Sequence, residues 1–121
     1  MKAVFDTNIL IDYLNGVSKA AEEIDRFDEK AISIITYIEV LVGLDDVAVI
    51  EKVKNFLATF QLIGVNQNVA DLSITARKKH RLKVPDAIIF GTAQFFGALL
   101  VTRNSKDFPP SIPMIRMPYD L

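Results

Sequence analysis

A chain of 121 residues, half of them hydrophobic and 24% charged, buries about two thirds of the surface its unfolded form exposes and is too apolar to be disordered. With no Cys and one His, a disulfide framework, a Cys/His zinc cluster and thiol catalysis are excluded, so any metal must be held by oxygen. The formal charge of −1, from 14 basic and 15 acidic residues, offers no general attraction to nucleic acid and leaves that to a local patch.

The first apolar run, KAVF (2–5), reads as a buried strand that stops at Asp6, with Thr7 and Asn8 behind it. A charge at the end of a core strand loses hydration and needs a partner or a task. Asp6 and Asp12 also interrupt the apolar run that a signal peptide would need, and no stretch is long enough to span a membrane, so we expect a cytoplasmic protein. Helical patterns near 7–15 and 18–28 lead to a second strand, AISII (31–35). In the next helix (36–44), Thr36 and Glu39 fit a capping box in which Glu39 reaches back to the amide of Thr36.

A helix near 47–59 precedes the strand QLIGV (61–65) and a helix at 66–82. That helix ends in ARKKHRLK, which concentrates Arg77, Lys78, Lys79, Arg81 and Lys83 where cations suit the helix dipole. The lone His80 among them has no Ser or carboxylate visibly placed to make a triad. Asp86, beside Pro85, opens a helix at 86–97, followed by the strand ALLVT (98–102), the loop TRNSKD (102–107) and a last strand, PMIRM (113–117).

Apolar runs alternating with helical patterns, with no repeat or linker, indicate one domain over 1–121 and a parallel α/β sheet with helices on both faces. Ligands in such folds sit beyond the carboxyl ends of the strands, where Asp6, Thr36 to Glu39 and the 102–107 loop lie. Taken singly, each has an ordinary structural role: Asp6 as an N-cap, Asp86 as a first-turn acid, Asn104 and Asp107 as turn residues. Taken together they resist that explanation, because like carboxylates about 4 Å apart repel by about 4 kcal/mol at an effective dielectric of 20. A hard divalent cation, Mg²⁺ or Mn²⁺, is the best candidate to neutralise them. The pattern alone does not settle the path of 66–85, and so does not bring Asp86 to the same edge.

The segments VFDTNILIDYL, SIITYIEVLVGL, ARKKHRLKVPDAIIFGTAQ and LLVTRNSKDF stand in the order and spacing of PIN domains, and the chain resembles most closely the VapC-like ribonuclease toxins of toxin-antitoxin pairs. The resemblance implies a three-layer α/β/α sandwich around a parallel sheet of about five strands, and Mg²⁺- or Mn²⁺-dependent hydrolysis of RNA. It puts the family's acids on Asp6, Glu39 and Asp86, and brings Asp86 to the others by analogy. The family's fourth acidic position, often Asp, is Asn104 here, with Asp107 three residues later. We therefore expect Asp6, Glu39, Asp86 and Asn104 to serve catalysis, with Asp6, Glu39, Asp86 and Asp107 as metal ligands. Thr7 and Thr102 would orient those carboxylates, while Arg77, Lys78, Lys79, Arg81 and Arg103 would touch RNA phosphates. The resemblance further implies a homodimer and a cognate antitoxin. Two alternatives stay open: a non-catalytic PIN-like module binding metal or RNA, and a PIN nuclease of RNA processing. A receiver-like domain fits poorly, because VFDTN offers one acid where a receiver needs a pair.

Overall fold

Apolar runs become strands and periodic stretches become helices in the computed structural model, which describes residues 1–121. The order is β1 (Lys2–Phe5), α1 (Thr7–Leu14), α2 (Ser18–Asp25), β2 (Glu29–Ser33), α3 (Ile34–Val42), α4 (Val47–Leu57), β3 (Gln61–Ile63), α5 (Gln67–His80), α6 (Val84–Phe96), β4 (Leu99–Val101) and β5 (Ile115–Arg116). The strands form one sheet in the order β3-β2-β1-β4-β5, with every neighbouring pair parallel.

β1 is central because its side chains are apolar on both faces. Ala3 and Phe5 join Ile9, Leu10, Phe27, Ile32 and Phe60 in one core, where Phe5 meets the rings of Phe27 and Phe60 edge-on at 5.8 Å. Val4 points the other way, into a core with Leu82, Ile89, Phe90, Leu100 and Phe108. The two cores on opposite faces make the α/β/α sandwich that the alternating pattern predicted. No helix is long and apolar enough to cross a membrane.

Strand order decides where a site can form. From β1 the chain builds outward through β2 to β3, then returns to the other side of β1 for β4 and β5. The reversal opens a crevice beyond the carboxyl ends of β1 and β4, the usual ligand position in such sheets.

Several predicted boundaries shift by two or three residues, among them the helix expected at 86–97, which covers Val84–Phe96, and the strand expected at 113–117, which shortens to Ile115–Arg116; the shift at β2 and α3 changes a predicted contact. The second strand covers Glu29–Ser33 rather than 31–35, and α3 starts at Ile34 rather than 36. Ser33 is its cap, accepting a hydrogen bond from the Ile35 amide at 3.0 Å. Thr36 therefore lies inside the helix, and the expected capping box does not form. The apolar Ile34 and Ile35 prolong the strand's composition into the helix, so composition alone misplaces the boundary.

The unsettled stretch 66–85 resolves into α5, a tight reversal and α6. Arg81 ends α5 in the left-handed region, at φ 57°, and the Arg77 guanidinium donates to the Leu82 carbonyl at 2.6 Å. Pro85 then falls in the first turn of α6, where its missing N–H costs nothing. The two helices touch through Gly91, where a Cβ would lie 2.6 Å from Ser73 Oγ, 3.0 Å from Ser73 N and 3.1 Å from the Val69 carbonyl oxygen. Two of those atoms are backbone and cannot swing aside. Gly91→Ala should therefore destabilise the chain by about 1–3 kcal/mol, read as a lower urea midpoint at unchanged slope; an unchanged midpoint would show that α5 has room to move away.

Candidate active site

Asp6 stands where β1 hands over to α1 and is only 4% exposed. It is the N-cap of α1, accepting from the Thr7 amide at 2.8 Å. Its other oxygen accepts from Thr102 Oγ1 at 2.7 Å and Asn8 Nδ2 at 3.0 Å. Burial pushes the Asp6 carboxyl up, aided by the charge of Glu39, while these three hydrogen bonds oppose the rise. The capping role expected of Asp6 is real, and its second oxygen has nothing to do with the cap.

Glu39 comes from α3 and reaches the same edge. Thr7 Oγ1 lies 2.6 Å from Glu39 Oε1 and 3.2 Å from the buried Thr36 hydroxyl, so Thr7 joins the starts of α1 and α3. Asp86, in the first turn of α6, is pushed up to about 6. Burial is the main cause; repulsion from Asp6, Asp107 and Glu39 adds to it, and Lys83 works against it. Acids from three other segments thus bear on Asp86 at one edge of the sheet.

The loop after β4 supplies the last of them. Asn104 Nδ2 donates to Asp107 Oδ2 at 2.9 Å, and the Asp107 amide donates to Asn104 Oδ1 at 3.2 Å. Both polar ends of the Asn104 side chain are therefore spent on Asp107, and it is Asp107 whose charge reaches Asp86. Arg103 gives its guanidinium to Asp12, with Nε and Nη2 at 2.6 and 2.9 Å from the two carboxylate oxygens.

At the end of α5, Lys78, Lys79 and Arg81 are exposed, whereas Arg77 spends a donor on the Leu82 carbonyl. His80 lies against Phe90, ring centroids 5.4 Å apart. Asn8 is the residue that sequence reasoning left without a role. It donates to Asp6 and Thr102 and accepts from the Arg103 amide at 3.1 Å, and its only signal is its place two residues after Asp6.

As the side chains stand, no three carboxylates close around a common point at which one ion could sit. The donor set nonetheless fits a hard divalent cation: every side-chain group is an oxygen ligand, and no Cys or His lies among them to favour a softer metal.

Because the folded chain holds a proton on Asp86 up to about pH 6 and the unfolded chain releases it near the ordinary 3.8, the ionised group opposes folding above pH 6 and not below about pH 4. In chelator, Asp86→Asn should therefore be more stable than the parent by about 1–2 kcal/mol at pH 7.5, because raising a pKa by one costs the ionised form about 1.4 kcal/mol and partial exposure to solvent reduces the whole. The gap should close near pH 4. Urea unfolding at both pH values checks this, and a gap that is constant with pH would refute it.

The family model of the PIN domain matches residues 3–109. Among solved structures, a chain in a toxin-antitoxin complex from Klebsiella pneumoniae is 41% identical, with a TM-score of 0.92 over 98% of this chain and 99% of that one. Chains of DNA-bound VapBC complexes show likeness of fold: from Salmonella typhimurium at 24% identity, TM-score 0.76, over 96% of each chain; and from Rickettsia felis, bound to a promoter fragment, at 23% identity, TM-score 0.75, over 95% and 96%. No curated protein matches the chain. With the sheet order, the acidic edge and these matches agreeing over nearly the whole length, the chain belongs to the PIN domain family.

Proposed function

We propose that this chain is a Mg²⁺- or Mn²⁺-dependent endoribonuclease and the toxin of a toxin-antitoxin pair. The observation that carries the reading is the approach of three other acids, Asp6, Asp107 and Glu39, to Asp86 at the crevice of the sheet, near enough to add to burial in pushing Asp86 up to about 6. Likeness to a chain of a toxin-antitoxin complex at 41% identity supports the biological role.

In this reading Asp6, Glu39, Asp86 and Asp107 hold the cation. When bound, it supplies Lewis-acid stabilisation of the phosphate oxygens and makes water a competent nucleophile at neutral pH. The protein's part is arrangement: Thr102 and Asn8 fix the Asp6 carboxylate, Thr7 fixes Glu39, and Asn104 serves catalysis through its hold on Asp107. Lys78, Lys79 and Arg81, with the remaining donors of Arg77, meet RNA phosphates without reading sequence.

Two exposed apolar surfaces suit protein partners. Ile11, Leu14, Val40, Gly43 and Leu44 line a cleft of about 240 Å³ that runs up to Glu39, and we assign it to the antitoxin, which would then cover the site. Val65, Ile74 and Val84 are each about half exposed around a second apolar cleft, lined also by Ala87 and Ile88, and we assign it to a homodimer. Light scattering at micromolar concentration should give twice the chain mass, and a monomer would remove the dimer from the proposal.

Purified chain incubated with total cellular RNA should cut it with Mg²⁺ or Mn²⁺ and not with EDTA. Asp6→Asn and Asp86→Asn, purified identically, should each lose more than about 100-fold, since even residues behind the ligands commonly cost 10–100-fold. Cleavage that survives in both mutants would mark a contaminant and refute the assignment. In the same preparations, replacing Lys78, Lys79 and Arg81 by Ala should lower the salt slope of RNA binding by about 2, and an unchanged slope would return the cluster to plain solvated surface.

A further inference from the structure

Asn8 and Asp12 lie one turn apart on α1, and both take hold of Arg103. Asn8 accepts from its amide at 3.1 Å. Asp12, only 5% exposed, takes the guanidinium through both oxygens at 2.6 and 2.9 Å. Tyr119, from the segment after β5, donates its hydroxyl to Asp12 Oδ2 at 2.8 Å. The catalytic reading uses neither Asp12 nor Tyr119, yet together with Asn8 they grip the residue that enters the 104–107 loop.

The loop is fixed at three points. At its start, Thr102 Oγ1 donates to Asp6 and accepts from the Asn104 amide at 3.0 Å. Next comes Arg103, held through backbone and side chain. At the far end Phe108 is fully buried. Asp107 sits between the Arg103 grip and the Phe108 anchor, so both ends of the loop, the Arg103 end among them, bear on its distance from Asp6 and Asp86.

Burial raises the Asp12 carboxyl, but the hydrogen bonds of Arg103 and Tyr119 and the charge of Arg103 outweigh it and hold it below its ordinary range, so the pair favours the fold; stability of that kind is nonetheless available more simply. A buried ion pair gives back in desolvation much of what it gains, and apolar residues often replace one without loss. A bidentate, charge-assisted pair with a third donor does supply fixed geometry, and here that geometry is delivered to one loop of the site.

We propose that Asp12, Arg103 and Tyr119 form a clamp that positions the 104–107 loop, and through it Asp107, against the acidic edge. The functional meaning rests on the metal-dependent nuclease reading. Arg103 is then a positioning residue and not a contact to RNA, and the segment around Tyr119 is coupled to the site through Asp12.

Three variants test this: Tyr119→Phe, which loses one hydroxyl; Asp12→Asn, which loses the charge; and Arg103→Lys, which keeps a phosphate-binding charge but loses the fork. Amide hydrogen exchange, Mn²⁺ titration calorimetry and RNA cleavage would be measured on each, with circular dichroism confirming the fold. The clamp predicts that the Asn104 and Asp107 amides exchange about tenfold faster or more in all three, while Ala31 and Ile32 of β2 do not change. Mn²⁺ should bind about 10–100-fold more weakly in Asp12→Asn and severalfold more weakly in Tyr119→Phe. Cleavage should lose kcat at unchanged KM and unchanged salt slope, with Arg103→Lys as impaired as Asp12→Asn. Unchanged exchange at Asn104 and Asp107 with unchanged Mn²⁺ affinity overturns the proposal, as does an Arg103→Lys protein with parental kcat. Exchange and calorimetry require no cleavage, so a parent chain that fails to cut RNA would sink the nuclease reading while those two arms still decide the clamp.

Discussion

Asp6 puts a carboxylate at the end of the central strand with almost no access to water, and its surroundings follow from what that burial demands. A buried charge must be hydrogen-bonded or neutralised. The Thr7 amide, Asn8 and Thr102 answer the first demand by joining the start of α1 to the end of β4. The second demand goes unmet among the side chains, because the charged groups that approach Asp6 next, Glu39 and Asp86, are themselves acids, and Asp107 adds its charge to Asp86. That gathering of negative charge is the ground for the proposal that the site takes a cation.

The fold delivers these acids economically. With all strands parallel, every strand-to-helix junction lies at one edge, and the reversal of strand order opens the crevice beside β1 and β4. Asp6 arrives from a strand-to-helix junction, Glu39 from the second turn of the helix after β2, and Asp107 from the loop after β4. Asp86 arrives by another route, at the start of a helix that leads into β4, and the left-handed turn at Arg81 together with the close approach at Gly91 brings it there. The buried cores on the two faces hold these junctions in place, and Phe108 pins the last of them.

The architecture was legible in the sequence because fully buried parallel strands are short apolar runs, and the helices between them keep their period. Its errors were local, as at Ser33, where two isoleucines continue a strand's composition into a helix. Asp6, Glu39 and the 102–107 loop were legible as one edge from topology alone. Asp86 was not, because its position depends on how two helices pack, and no local pattern encodes that. The neutral Asn104 drew attention by its place in the loop, but its side chain is committed to Asp107, a pairing that turn chemistry permits without specifying. Least visible was the contact of Tyr119 with Asp12 across 107 positions of sequence, since a Tyr near the end of a chain carries no signal of its partner.

Whether the acidic edge takes a hard cation decides everything proposed for it. Crystals grown with Mn²⁺ and measured for its anomalous scattering would answer this without reference to any substrate. One strong peak is expected, or two close together, within bonding distance of Asp6 and Asp86, with Glu39 or Asp107 drawn in to complete the shell. An ordered crystal in millimolar Mn²⁺ with no peak at that edge, while the four carboxylates keep their places, would contradict the metal-dependent reading.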